Sequence, residues 1–304
     1  RVKEADPDLH TGYILPAAYG RYYDNDAFDF ISLRSSFVTL GLVENAHEKG
    51  KAVHVWTVNK KSEIEQMKVL GVDNIITFDA HDPRVQNAIP LIGFDNFMPT
   101  YQFVKALFKH DQSLKIDKDH LMVISPDEGA MNRAVYLANN LGVDMGMFYK
   151  RRDYSRVIDG RNPIVAHEFL GTSVEGKTVL IIDDMIASGE SMLDTARELK
   201  ERKAEKVIIC CTFGLFTAGL EKFDQYYQNG YIDYVITTNL NYRPKELLDR
   251  EWYLEADMSK YLAAIINSFN HDVSIGAALS PTEKIQKLVK RYQAGGYDYY
   301  QTIQ

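Results

Sequence analysis

Gly176-Lys-Thr-Val-Leu-Ile-Ile-Asp-Asp-Met-Ile-Ala-Ser-Gly-Glu-Ser-Met-Leu193 is the stretch from which the fold can be read. Thr178 to Ile182 is a β-rich apolar run of a length that suits a buried parallel strand. Asp183 and Asp184 follow at its carboxyl end. Ala187, Ser188 and Gly189 are small, so the chain can bend tightly and a ligand can approach the backbone. Ser188 or Ser191 is a candidate cap for a helix beginning near Glu190, with Leu193, Ala196 and Leu199 on one face. A strand, two acids, a small-residue loop and a helix N-terminus together make a phosphate site beside a diol or metal site. Backbone N–H groups and the helix dipole hold the phosphate. The acids accept hydrogen bonds from ribose hydroxyls, directly or through Mg²⁺. A strand ending in a polar turn is the plainer reading, but it accounts more easily for one acid than for two followed by Ser-Gly.

The chain has 304 residues, enough for two domains of ordinary size. With 45% hydrophobic and 25% charged residues it is globular in composition. A net charge of −7 argues against binding nucleic acid through a general basic surface. The only cysteines, Cys210 and Cys211, are adjacent and lie in the apolar run Val207 to Phe213. Neighbours in a strand point to opposite faces, so they make a poor metal pair, and they give no disulfide framework. No apolar run is long enough to span a membrane, and no signal peptide is visible, so a cytoplasmic location without membrane contact is expected. The first residue is Arg1 rather than Met, as in a fragment or a processed product.

Residues 1–77 read as repeated βα units. Strands are expected at Phe28 to Leu33, Ala52 to Val58 and Val72 to Thr77. Helices are expected at Phe37 to Lys49, closed by Gly50, and at Lys61 to Leu70 with Ile64, Met67 and Leu70 on one stripe. Such alternation favours parallel strands joined by crossover helices. His47 and His54 are read as a surface and a strand histidine. Further on, Tyr101 to Lys109 reads as a helix. Leu121 to Ser125 is a strand running into Pro126-Asp-Glu-Gly-Ala-Met-Asn-Arg133, a second loop with an acid at its tip. Asp144 to Tyr149 is a strand ending in Lys150-Arg-Arg-Asp153. Strands are also expected at Val207 to Phe213, Tyr234 to Thr238 and Trp252 to Glu255, and helices at Leu193 to Glu201 and Met258 to Asn267. Thr282 to Gln304 is charged and aromatic and is assigned no chemistry.

Val179 to Ser191 resembles the phosphoribosyl-pyrophosphate motif of the type I phosphoribosyltransferase fold. From Gly71 onward the chain is similar to the ribose-phosphate pyrophosphokinase (PRPP synthetase) family. Residues 1–77 are similar to something else. Phe30-Ile-Ser-Leu, Val53-His-Val-Trp-Thr-Val-Asn59 and Leu70-Gly-Val-Asp-Asn-Ile-Ile-Thr77 resemble the last strands of a glycerophosphodiester phosphodiesterase, a TIM barrel. That family's His-Arg-Gly and Glu-x-Asp segments have no counterpart here, and three βα units cannot close an eight-stranded barrel. Leu70 to Thr77 suits both families, so a join is expected there, whether natural, engineered or an artefact of assembly. The fold class expected is α/β. It comprises a parallel-sheet, type I phosphoribosyltransferase-like domain preceded by a βα segment like part of a TIM barrel. The expected divisions are 1–77 for that segment, 78–110 for a remnant of the synthetase N-terminal domain, and 111–304 for the phosphoribosyltransferase-like domain and tail.

The synthetase resemblance implies Mg²⁺-dependent transfer of diphosphate from ATP to ribose 5-phosphate, giving PRPP and AMP. It implies a homo-oligomer. Asp183, Asp184, Ala187, Ser188, Gly189, Glu190 and Ser191 would bind the sugar phosphate. Lys150 and Arg152 would be the catalytic basic pair that stabilises the transferred group, and His81 and Asp127 would serve the metal site. Tyr154 to Ile164 would be a flap, and Thr237-Thr-Asn239 would lie near the ribose phosphate or effector sites. The family more often has a glycine where Ala130 stands, and two further departures lie in the loop itself. An acid is usual where Ala187 stands and a glycine where Glu190 stands, and Glu190 would repel a phosphate unless its side chain turns outward. The family's adenine- and triphosphate-binding front half is replaced, and no Gly-x-x-x-x-Gly-Lys motif compensates. The alternatives are a catalytically inactive homologue that binds sugar phosphate or regulates a synthetase, and a phosphodiesterase remnant.

Overall fold

The computed structural model describes residues 11–15, 20–56, 58, 61–152, 164–270 and 274–295. In chain order the elements are β1 (Gly12–Leu15), β2 (Phe30–Arg34), α1 (Leu40–Glu48), β3 (Ala52–Trp56), α2 (Lys61–Leu70), β4 (Asn74–Phe78), β5 (Gly93–Phe97) and α3 (Thr100–His110). β6 (Leu121–Ser125), α4 (Met131–Leu141), β7 (Asp144–Arg152), β8 (Ile164–Leu170), β9 (Thr178–Ile186), α5 (Glu190–Glu201), β10 (Lys206–Gly214) and α6 (Glu221–Gln228) follow. The chain closes with β11 (Tyr234–Thr238), α7 (Lys245–Leu248), β12 (Tyr253–Ala256), α8 (Ser259–Asn270), α9 (Gly276–Leu279) and α10 (Thr282–Gln293). Two compact units result. One comprises Arg1–Met98 and Ser259–Pro281, the other Pro99–Met258 and Thr282–Gln304.

The first unit carries a parallel sheet in the order β1-β2-β3-β4-β5. Val53 and Val55 alternate inward along β3 and meet Ile31, Leu33 and Ile75 from its neighbours. Val43 and Ala46 of α1 and Ile64 and Met67 of α2 join the same core. Thr39 caps α1 by accepting from the Leu42 amide, and Gly50 follows its end. Pro90 to Tyr101 contains β5, which pairs with β4 from Asn74 to Phe78. The sheet is an open five-stranded ribbon with sequential order.

The second unit is a seven-stranded sheet in the order β12-β11-β10-β9-β6-β7-β8, parallel except for β7 against β8. Its strands are apolar on both faces, as a sheet covered on both sides requires. Leu121, Val123, Leu180, Ile182, Ile208 and Cys210 face one core. Met122, Ile124, Val179, Ile181, Ile209 and Cys211 face the other. The two cysteines therefore lie on opposite faces, both unoxidised and buried, and burial raises the Cys210 thiol to about 12. α10 also belongs to this unit: Ile285, Leu288, Val289 and Tyr292 pack into the first of these cores. Among the described residues no helix is long and apolar enough to cross a membrane.

Candidate functional site

In the second sheet the chain runs one way from β6 through β7 to β8, and the other way from β9 through β10 and β11 to β12. The direction reverses between β6 and β9. In open α/β sheets a crevice forms outside the carboxyl ends of the strands at such a point, because the connections leave on opposite sides. β9 runs on to Ile186, four residues beyond the expected end at Ile182, and its pairing with β10 continues to Ile186↔Gly214. Its pairing with β6 ends at Ile124↔Ile181. Asp183 and Asp184 thus project from a strand that has lost one neighbour and kept the other.

Asp184 is 4% exposed and pairs with the buried Arg133 of α4, whose Nη2 lies 3.8 Å from Asp184 Oδ1. Arg133 also donates to the Gly129 carbonyl at 3.3 Å, which ties the guanidinium to the loop after β6. Asp183 accepts from the Asp184 amide at 2.9 Å. Its carboxyl is pushed up to about 8, first by burial, then by its hydrogen bond with the Asp184 side chain and by that group's charge, with Asp127 adding to the repulsion. Asp127 stands at the tip of the β6–α4 loop. Its Oδ1 accepts from the amides of Gly129 at 2.9 Å and Ala130 at 3.3 Å, and Ser125 Oγ donates to its carbonyl at 2.6 Å. Asp127, Asp183 and Asp184 are therefore gathered at one end of the sheet. Among the described residues no group of three or more His, Cys, Asp or Glu has the arrangement of a metal cage. A Mg²⁺ ion held mainly through substrate phosphates needs only one or two carboxylates.

The loop Ala187 to Gly189 leads into α5. The expected serine cap is not made: Gly189 occupies the cap position without a side-chain hydrogen bond, and Ser188 Oγ accepts from the Glu190 amide at 3.5 Å. Gly189 has φ +84°, and a Cβ there would come within 2.4 Å of the Phe223 ring, so this backbone requires glycine. Ser188 is half-buried, whereas Ala187, Glu190 and Ser191 are exposed. Glu190 turns toward Lys222, with Oε1 2.8 Å from its Nζ.

Lys150 and Arg152 lie on β7, paired in register with His167 and Ile164 of β8. Their side chains lie outside the described part of the structure, as does the expected flap apart from Ile164, the first residue of β8. His81 stands exposed in the first unit after β4, two residues beyond Asp79, which is buried with φ +44°. Thr237 and Thr238 are engaged structurally. Thr237 Oγ1 is 2.9 Å from Tyr253 Oη, and Thr238 donates to the Thr212 carbonyl at 2.6 Å. His54 is a half-buried strand residue stacked on Phe30, with its imidazole pKa lowered by burial, and His47 meets Asp73 at the surface. Arg133 is the member of the site that sequence reasoning missed. It reads only as an early residue of a helix, and its partner lies on another strand.

The comparisons first define a class. A model of the phosphoribosyl transferase domain matches residues 103–241, and a model of the glycerophosphoryl diester phosphodiesterase family matches residues 20–81. The chain thus joins a type I phosphoribosyltransferase-like domain to a βα segment similar to part of another family. More particularly, it is similar to ribose-phosphate pyrophosphokinases. It is 33% identical to that of Ralstonia nicotianae over 53% of this chain and 47% of the relative. It is 29% identical to that of Thermotoga maritima over 71% of this chain and 64% of the relative. The chain therefore spans between about half and two thirds of these relatives. A crystal structure of phosphoribosylpyrophosphate synthetase from Mycobacterium smegmatis superposes with a TM-score of 0.60 at 18% identity, over 79% of this chain and 81% of that one, a likeness of fold.

Proposed function

We propose that this chain is a ribose-phosphate diphosphokinase, transferring diphosphate from ATP to the C1 hydroxyl of ribose 5-phosphate. The observation that carries the reading is the convergence of Asp183 and Asp184 with the β9–α5 loop at the reversal of strand order. The carboxylates accept from the ribose hydroxyls, and the loop with the start of α5 receives the 5-phosphate. Mg²⁺ would neutralise the diphosphate, with Asp127 beside it. Lys150 and Arg152 would supply positive charge to the transferring group. A homo-oligomer belongs to the same reading. A second reading, a sugar-phosphate-binding homologue without turnover, is favoured by Ala187 and by the foreign front half matched at residues 20–81.

AMP formation from ATP, with and without ribose 5-phosphate in Mg²⁺, tests the two. We expect sugar-dependent AMP that vanishes in Asp183→Asn. Absence of AMP with ribose 5-phosphate binding intact by calorimetry would select the second reading. Absence of both would refute the site.

A further inference from the structure

The connection from β10 to α6 begins Leu215-Phe-Thr-Ala-Gly219, and Phe216 within it has φ +45°. A bulky L-residue seldom enters this region, because its Cβ crowds the backbone, and it stays there only where the surroundings fix it. We propose that Phe216 is a positioning residue of the sugar-phosphate site, holding the β9–α5 loop in its ligand-binding shape through both its backbone turn and its ring. The inference rests on reading that loop as the place where the 5-phosphate is held.

The backbone turn acts on the loop directly. The Leu215 and Phe216 amides donate to the Ile186 carbonyl at 2.9 and 3.3 Å, and the Thr217 amide donates to the Ala187 carbonyl at 2.9 Å. Two steps along the connection thus match one step along the loop, as at a β-bulge, and the turn at Phe216 absorbs the extra residue. The Gly219 amide closes the turn by donating to the Phe216 carbonyl at 3.0 Å. The ring acts by a second route. Phe216 is buried, meets Phe223 edge-on at 5.1 Å and 79°, and lies 6.1 Å from Trp252. Phe223 is fully buried, stacks on Trp252 at 5.5 Å and 25°, and is the ring against which Gly189 closes. The loop is therefore held at Ala187 by a hydrogen bond and at Gly189 by an aromatic cluster, and Phe216 belongs to both supports. A loop fixed before its ligand arrives loses less freedom on binding, which strengthens the complex.

The test is calorimetric titration of the full chain with ribose 5-phosphate, comparing the parent with Phe216→Gly, Phe216→Leu and Leu288→Ala. Glycine accepts the φ but has no ring, whereas leucine keeps the apolar bulk. Leu288 lies in the other core of the second unit, so its variant reports what a loss of stability does by itself. We expect Phe216→Gly to bind roughly tenfold more weakly, Phe216→Leu to stay within about threefold of the parent, and Leu288→Ala to bind as the parent does. A second measurement needs no variant: in the parent, saturating ribose 5-phosphate should slow hydrogen exchange of the Thr217 amide, because the turn and the loop order together. Parent affinity in Phe216→Gly, an equal loss in Leu288→Ala, or a Thr217 amide indifferent to the sugar phosphate overturns the inference and leaves the loop reading standing. A parent chain that binds no ribose 5-phosphate overturns both.

Discussion

Asp183 carries a pH signature that follows from its surroundings. Burial and the neighbouring carboxyls make it harder to ionise in the folded chain than in the unfolded one, about 8 against an ordinary value near 4. The protonated form is the one the fold favours. That stabilisation is complete below about pH 4 and is lost as pH rises to about 8. Asp183→Asn keeps the shape and removes the ionisation. We therefore expect the midpoint of the second unit's transition in the parent, relative to Asp183→Asn, to fall steadily across this window in metal-free buffer. A constant difference in midpoint would sink the account. On the proposed function, the same substitution should also abolish sugar-dependent AMP. At this scale the sequence was informative about the acids and silent about what surrounds them. Two aspartates after an apolar run mark a strand end. Nothing local tells that Arg133 swings across to Asp184, because the contact is made by the β6–β9 pairing rather than by spacing. The serine cap failed for a local reason. The tight φ at Gly189 puts glycine itself at the cap position.

Among elements, α10 is where sequence and structure part most instructively. Ile285, Leu288, Val289 and Tyr292 recur at helical spacing in Thr282–Gln293, so the amphipathic stripe is legible. Its partner is not. Tyr292 stacks on Phe108 of α3 at 4.0 Å and 24°, and its hydroxyl donates to the Asp111 carbonyl at 2.8 Å. Gln293 donates to the Ile116 carbonyl at 2.9 Å. The described part of the tail thus packs into a core of the second unit. Tyr292→Phe leaves a buried carbonyl without its donor and should cost about 1 kcal/mol. Leu288→Ala opens a cavity and should cost about 2–5 kcal/mol. Chemical denaturation of the two variants checks both figures, and a smaller loss for Leu288→Ala than for Tyr292→Phe would contradict the packing described. β1 and β5 were hidden for related reasons. Gly12 carries no apolar signal of its own, and its missing side chain makes room for the Phe30 ring on β2. Asp95 and Asn96 break the apolar run of β5, yet they are held by polar partners: Asn74 donates to Asp95 at 2.8 Å, and Asn96 accepts from the Ala80 amide at 3.0 Å.

At the scale of the whole molecule, three cores are seen, one built from residues 15–89 in the first unit and two from residues 103–292 in the second. The first unit is completed by Ser259–Pro281 and the second by Thr282–Gln304, so the chain passes between them more than once and neither can be released by a single cut. Tyr261 of α8 meets Phe78 and Phe97 edge-on, which shows why the returning segment belongs to the first unit. Each unit has a core of its own, and a single two-state transition is not expected of a chain built from two units. This gives a way to assign the sugar site without any turnover. Ribose 5-phosphate held by the β9–α5 loop stabilises the unit that contains it and not the other. At one hundred times its dissociation constant it should add about 2.7 kcal/mol to the second unit. Differential scanning calorimetry should then move one transition upward, and Gly189→Ala, which distorts the loop, should abolish that movement. If both transitions rise together, or only the one weakened by Tyr261→Ala does, the sugar phosphate is held elsewhere than in this loop alone.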